Sequence, residues 1–290
     1  MRHPTSLELG RSREMVFRPA IPLTGVAGSN FLQRTLDRQL ATFSNSPAVA
    51  NDREYFQNAF SEPISVDDFI ADRRLLRISL TAFGLVGEEN KGGFVRRALE
   101  SQVDPDDNFL RRINNPDYVR FAEEINPQDG LITLSPEQIQ SIIQGFERES
   151  FEVAVGDVDT NLRLDLNYRT EISRLAGDGA SDEAIAFRLL GSVPIRTVLE
   201  GALGLPTEFS QLDVERQAAD LEERIKTTFG VSSLSQLSEP DKIDQVTRRF
   251  LAIQAAQQGP NFSTPGFSAL SLFTGVGEIA SQNLFLSRFT

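Results

Sequence analysis

The sequence predicts an all-α protein built as two helical subdomains packed along a shared seam, with a Phe-rich C-terminal segment. Apolar residues recur at three- and four-residue spacing through most of the chain, the period of one helix face. Between these stretches stand Ser, Asp, Asn, Gly and Pro in the places where helices start and stop. The 290 residues are 40% apolar and contain no cysteine, so the chain is long enough to bury a core without disulfides or metal clips.

The elements follow in order. Residues 1–18 are polar and read as a disordered N-terminal extension, with Met1 and Met15 as alternative starts. Phe31, Leu32, Thr35, Leu36, Gln39, Leu40 and Phe43 line one helical face, which the turn from Ser44 to Pro47 ends. Tyr55, Phe56 and Phe60 predict a second short helix. Ser65, with Asp68 three residues on, is placed to cap a third helix running from Phe69 to Phe83, and Gly84 supplies its left-handed stop. The Asn126 to Pro136 segment collects Pro, Gly and Asn and is the expected boundary between subdomains 19–128 and 129–258. Ser135 before Pro136 is a strong helix start. Further helices are expected over 137–155, 161–175, 182–190, 196–203, 213–229 and 241–257. Residues 259–290 hold Phe262, Phe267, Phe273, Phe285 and Phe289 with only two charges, too apolar for a solvated linker.

Composition excludes much chemistry. With 29 basic and 41 acidic residues the net charge is −12, which disfavours nucleic acid and anionic membranes as partners. No run approaches the roughly 20 apolar residues of a membrane helix. Absence of cysteine removes thiolate chemistry and zinc–cysteine sites, and His3 as the single histidine removes triads and multi-histidine metal sites.

The motifs that remain favour architecture. Gly84, Gly87, Gly92 and Gly93 surround Lys91, but a phosphate loop needs a preceding strand and a lysine after its last glycine. Asp157, Asp159, Asn161 and Asp165 have the spacing of a calcium loop, yet Leu162 and Tyr168 stand where glycine and glutamate are required. These aspartates are better read as helix N-terminal carboxylates. The run from Asp104 to Asp107 reads as a loop and helix start. Four arginine pairs occur, Arg73-Arg74, Arg96-Arg97, Arg111-Arg112 and Arg248-Arg249. The first three form a conceivable basic stripe for an acidic partner or a lipid headgroup, against the plainer reading of solvated arginines paired with carboxylates a turn away, such as Asp72 and Glu100. Ala82-Phe-Gly-Leu85 recurs 120 residues later as Ala202-Leu-Gly-Leu205, with Phe229-Gly-Val231 as a shorter instance. Convergent helix capping explains the recurrence better than a duplicated domain does.

Several of these stretches together resemble a known family. They are Pro22 to Gly28 with Phe31 to Thr35, Asp72-Arg-Arg-Leu-Leu76 leading to Ala82-Phe-Gly-Leu85, and Val155-Gly-Asp157 with Asn161 to Leu164. Pro194-Ile-Arg196 to Pro206 and Leu212 to Gln217 complete the set. The chain is similar, from about Pro19 to Leu251, to an alphaproteobacterial domain of unknown function commonly encoded within flagellar gene clusters. One aromatic stands near Ala186-Phe187 where the family pattern has two. The resemblance implies a non-enzymatic protein that supports flagellar assembly or export through protein–protein contacts, of a chaperone-like kind, with an export or basal-body component as partner. It implies no catalytic residue, cofactor or metal ligand. It places the protein in the cytoplasm at the flagellar base, or, in the alternative, outside the cell as an exported structural component. A carboxylate-dependent enzyme is the remaining alternative.

Expected partner-binding residues are Arg73, Arg74, Arg96, Arg97, Arg111 and Arg112 at the rim of the contact, with the five phenylalanines of 259–290 as a docking element. Truncation after Gly259 is expected to leave the thermal unfolding transition of the helical body in place while weakening partner capture. Loss of the transition would show that the tail is core.

Overall fold

In the computed structural model, which describes residues 17–103, 106–113, 115–177 and 179–258, thirteen α-helices are joined by short turns and one two-stranded sheet. The chain divides into two compact units. The first takes residues up to Pro22 and Asn30–Arg163; the second takes Leu23–Ser29 and the chain from Leu164. The all-α expectation holds.

The first unit contains most of α1 (Gly25–Ser44), then α2 (Pro47–Ala59), β1 (Ile64–Ser65), α3 (Val66–Ala71) and α4 (Arg73–Ala82). It continues with α5 (Gly92–Val103), α6 (Phe109–Ile113), α7 (Pro116–Ile125), β2 (Leu131–Ile132) and α8 (Pro136–Gly156). The single helix expected from Phe69 to Phe83 is two. Asp72 breaks it with an extended backbone (ψ 96°), and its carboxylate accepts from the Arg74 and Leu75 N–H groups at 2.9 and 3.0 Å. An aspartate that satisfies two orphan donors makes a new helix start more favourable than continuation. Ser65 caps α3 through the Asp68 N–H at 3.0 Å, and Ser135 opens α8 with a full capping box, as their spacing indicates.

The Asn126 to Pro136 segment is not where the compact units divide. Its β2 strand pairs antiparallel with β1, Ile64 opposite Ile132 and Ser65 opposite Leu131, and the Val66 N–H donates to the Gly130 carbonyl at 3.0 Å. A two-residue strand carries no periodicity to read, so this stitch is invisible in sequence.

The second unit holds most of α9 (Thr160–Ala176), with α10 (Asp182–Gly191), α11 (Val193–Leu203), α12 (Val214–Phe229) and α13 (Pro240–Gln258). Gly84 and Gly204, at φ +81° and +65°, end α4 and α11 alike. In both, the following leucine N–H reaches back five residues, Leu85 to Leu80 and Leu205 to Glu200, which is the Schellman closure. Gly230 ends α12 with the simpler bond from its own N–H to Lys226. The correspondence continues into burial of Leu75 and Ile195, and of Ile78 and Val198, but it lapses in the next helices, where Leu99 is buried and Ala219 exposed.

In the first unit α4 crosses α8 closely enough that a Cβ on Gly145 would sit 2.7 Å from the Ala82 carbonyl oxygen. Gly145→Ala is therefore expected to destabilise the protein by about 1–3 kcal/mol despite alanine's better helix propensity. Gly93→Ala, whose Cβ meets nothing within 4 Å, is the control and is expected to be neutral or stabilising by about 0.5 kcal/mol in denaturant titrations.

Candidate functional site

The first unit carries a groove of about 480 Å³ between the start of α3, one face of α5 and the turn from Pro127 to Gly130. Its floor is apolar, formed by Val66, Leu99 and Pro127, of which Leu99 and Pro127 are buried. Its rim is charged, formed by Asp67, Arg96, Glu100 and Asp129.

Local sequence chemistry builds each wall. Ser65 starts α3 and turns Asp67 outward, 80% exposed, where it meets the Arg96 guanidinium at 2.6 Å. Apolar spacing on α5 buries Val95, Ala98 and Leu99 and leaves Arg96 and Glu100 on the groove side. The far wall is a tight turn in which Asp129 (φ +51°) and Gly130 (φ +78°) are both left-handed, which lets β2 fold back against β1. Leu131, next in the chain, is 46% exposed.

This arrangement suits recognition. The Ser65 hydroxyl is committed to capping α3, and Asp67 is committed to Arg96. The rim therefore offers charge and hydrogen-bonding groups around an apolar floor, the anatomy of a contact patch.

Of the sequence-predicted residues among those described, Arg96 alone lines the groove. The others are answered one by one. Arg73 donates to the Asn90 side chain. Arg74 pairs with Asp52 at 2.7 Å and lies over the Tyr55 ring, with Arg77 on the other Asp52 oxygen. Arg97 pairs with Asp107 and covers Phe109, and the Phe109 N–H helps hold the Asp107 carboxyl below the usual range. Arg111 and Arg112 are exposed on α6 with no ion pair among the described residues. The pairing partners differ from those expected. Asp72 caps α4 and accepts from Tyr55, whose hydroxyl is raised by that bond, while Glu100 carries no ion pair among the described residues. The arginines reach carboxylates on neighbouring elements because α2, α3 and the α5–α6 turn pass within side-chain length. Phe262, Phe267, Phe273, Phe285 and Phe289 lie outside the described residues.

The other motifs resolve as architecture. Lys91 pairs with Glu88 at 2.8 Å. Asp159 caps α9 through the Asn161 and Leu162 N–H groups at 2.9 and 3.2 Å. Asp165 is not a surface N-terminal carboxylate; it is fully buried in the second unit. Ser29 donates to its Oδ2 at 2.5 Å and Arg169 Nε to its Oδ1 at 2.8 Å. The same guanidinium reaches Asp244 and Thr247, each at 2.7 Å. Burial works against the Arg169 charge, but Asp165 and Asp244 outweigh it and hold the guanidinium above its ordinary value. The only sequence clue to this cluster was the i, i+4 spacing of Asp165 and Arg169. Among the described residues no group of three or more His, Cys, Asp and Glu side chains could hold a metal ion, and no helix is long and apolar enough to cross a membrane.

Comparison with known proteins places this architecture. The fold matches the crystal structure of a protein from Agrobacterium tumefaciens, solved by a structural genomics consortium, with a TM-score of 0.64 at 21% identity. The match covers 84% of this chain and all of that one. A family model described as a protein of unknown function, DUF1217, matches residues 82–243, and the chain belongs to that family. A search of curated proteins returned no match.

The Asp165–Arg169 cluster yields a sharp stability test. Arg169→Met strands a buried carboxylate and is expected to cost about 3–5 kcal/mol, while the double variant Asp165→Leu/Arg169→Met recovers most of that loss. Urea unfolding of both variants measures the difference.

Proposed function

We propose that this protein is a non-enzymatic, flagellum-associated protein that supports flagellar assembly or export through protein–protein contacts, in a chaperone-like way, from the cytoplasmic side of the flagellar base. The observation that carries the contact part is the groove, with Val66, Leu99 and Pro127 beneath a rim of Asp67, Arg96, Glu100 and Asp129. Its volume lies in the range of about 300–1,000 Å³ typical of ligand-sized clefts, so it takes a few side chains of a partner at a time. Exposed Leu131 beside it adds apolar surface that a partner would cover. The flagellar part is supported by the spaced motifs from Pro22 to Gln217 that resemble a family encoded among flagellar genes.

The test is a gene deletion scored for swimming, with fractionation of a tagged copy in the complemented strain. Loss of swimming with the protein retained in the cell is the expected result. Protein recovered from the medium would mark an exported structural component instead, and unimpaired swimming would sink the flagellar reading.

A further inference from the structure

We infer that the groove on the first unit receives an extended segment of a partner protein bearing an arginine or lysine beside an apolar side chain. The inference rests on the contact reading above and adds the partner's chemistry.

Charge decides the sign. The rim holds three carboxylates, Asp67, Glu100 and Asp129, against one guanidinium, Arg96. The Asp67–Arg96 pair at 2.6 Å cancels itself, which leaves Glu100 and Asp129 as exposed carboxylates without an ion pair among the described residues, on opposite walls of the groove. Elsewhere in this unit several arginines pair with carboxylates, Asp52, Glu147 and Asp107 among them. Two carboxylates left open around one groove thus select a cationic guest. The whole chain, at net charge −12, adds long-range attraction for the same sign.

The floor decides the rest. A small cation alone would leave the half-buried Val66 and the exposed Leu131 beside it in contact with water. A leucine-sized side chain covers them, and its neighbouring arginine or lysine then reaches Glu100 or Asp129 at the rim. Apolar contact provides the affinity, and the carboxylates provide orientation and association rate.

The test uses the full-length protein and two peptides, one alternating leucine with arginine and one alternating leucine with glutamate. The leucine–arginine peptide is expected to shift the backbone amide resonances of Val66, Arg96 and Gly130 and to bind more weakly as salt rises. Glu100→Gln/Asp129→Asn should weaken that binding by about 3- to 10-fold, the scale of two exposed charge contacts. Asparagine tolerates the left-handed backbone at 129, and both side chains are exposed, so the melting temperature should not change. Equal or tighter binding of the leucine–glutamate peptide, or shifts confined to other surfaces, would overturn the inference. Groove binding by the leucine–arginine peptide alongside normal swimming in the deletion strain would retain this inference and remove the flagellar reading. Lost swimming with no groove binding would do the reverse.

Discussion

Each unit is organised by one helix crossing so close that a glycine must stand at the contact. In the first unit it is Gly145 of α8 against the Ala82 carbonyl of α4; in the second it is Gly201 of α11, where a Cβ would lie 2.8 Å from the Phe250 ring of α13. A close crossing buries long stretches of both partners, and a large part of the core lies along these four helices: Leu75, Leu76 and Ile78 on α4, Ile142, Ile143 and Phe146 on α8, Ile195, Val198 and Leu199 on α11, Phe250 and Leu251 on α13. With those rows committed to the interior, the helix ends must stop sharply. The Schellman turns at Gly84 and Gly204 do that without exposing the last carbonyls. Interiors packed this tightly transmit small volume changes, which is why a single added methyl group at a crossing matters more than most surface substitutions.

Charge is handled by the same economy of position. Arginine outnumbers lysine heavily, and its planar fork can bridge elements that a point charge would only approach. Asp52 binds two guanidiniums from α4, and Arg169 gathers Asp165, Asp244 and Thr247. Such pairs between elements orient helices that apolar packing alone leaves free to rotate. Asp72 shows the principle in one residue: it caps α4, accepts from Tyr55, and by splitting α3 from α4 turns α3 so that Asp67 faces the groove.

Much of this was legible in the residues. Helix periodicity located α1, α2 and α8 to α13, while it left α5, α6 and α7 without bounds, and Ser65 and Ser135 marked their helix starts because capping is a local matter of one side chain and two or three N–H groups. What could not be read was set by encounters between distant segments. The pairing of Ile64 with Ile132 joins residues far apart in sequence through two-residue strands that show no alternation. Asp165 looks like any helical carboxylate in sequence, and the Ser29 hydroxyl that satisfies it comes from a distant part of the chain. The arginine pairs suggested a stripe because their partners, Asp52, Asp67 and Asp107, come from other elements. Only Arg96 survived as a groove residue, and nothing in its own sequence neighbourhood distinguished it from Arg97.

The residues that carry the family resemblance now have physical roles, and those roles are framework roles. In Asp72-Arg-Arg-Leu-Leu76 the aspartate caps, the arginines bind Asn90 and Asp52, and the leucines are core. In Ala82-Phe-Gly-Leu85 and Ala202-Leu-Gly-Leu205 the glycine is the helix stop. Motifs of this kind preserve an architecture without naming a ligand. The groove is built from the residues between them: a capped α3, the solvent side of α5, and a turn whose Asp129-Gly130 pair favours the left-handed backbone it adopts. A scaffold whose rigid motifs present a small, acidic, apolar-floored cleft can keep its fold while the rim changes. On the proposed contact reading Glu100 and Asp129 select the partner, and Asp72-Arg-Arg-Leu-Leu76 and Ala82-Phe-Gly-Leu85 belong to the framework of the unit that carries them.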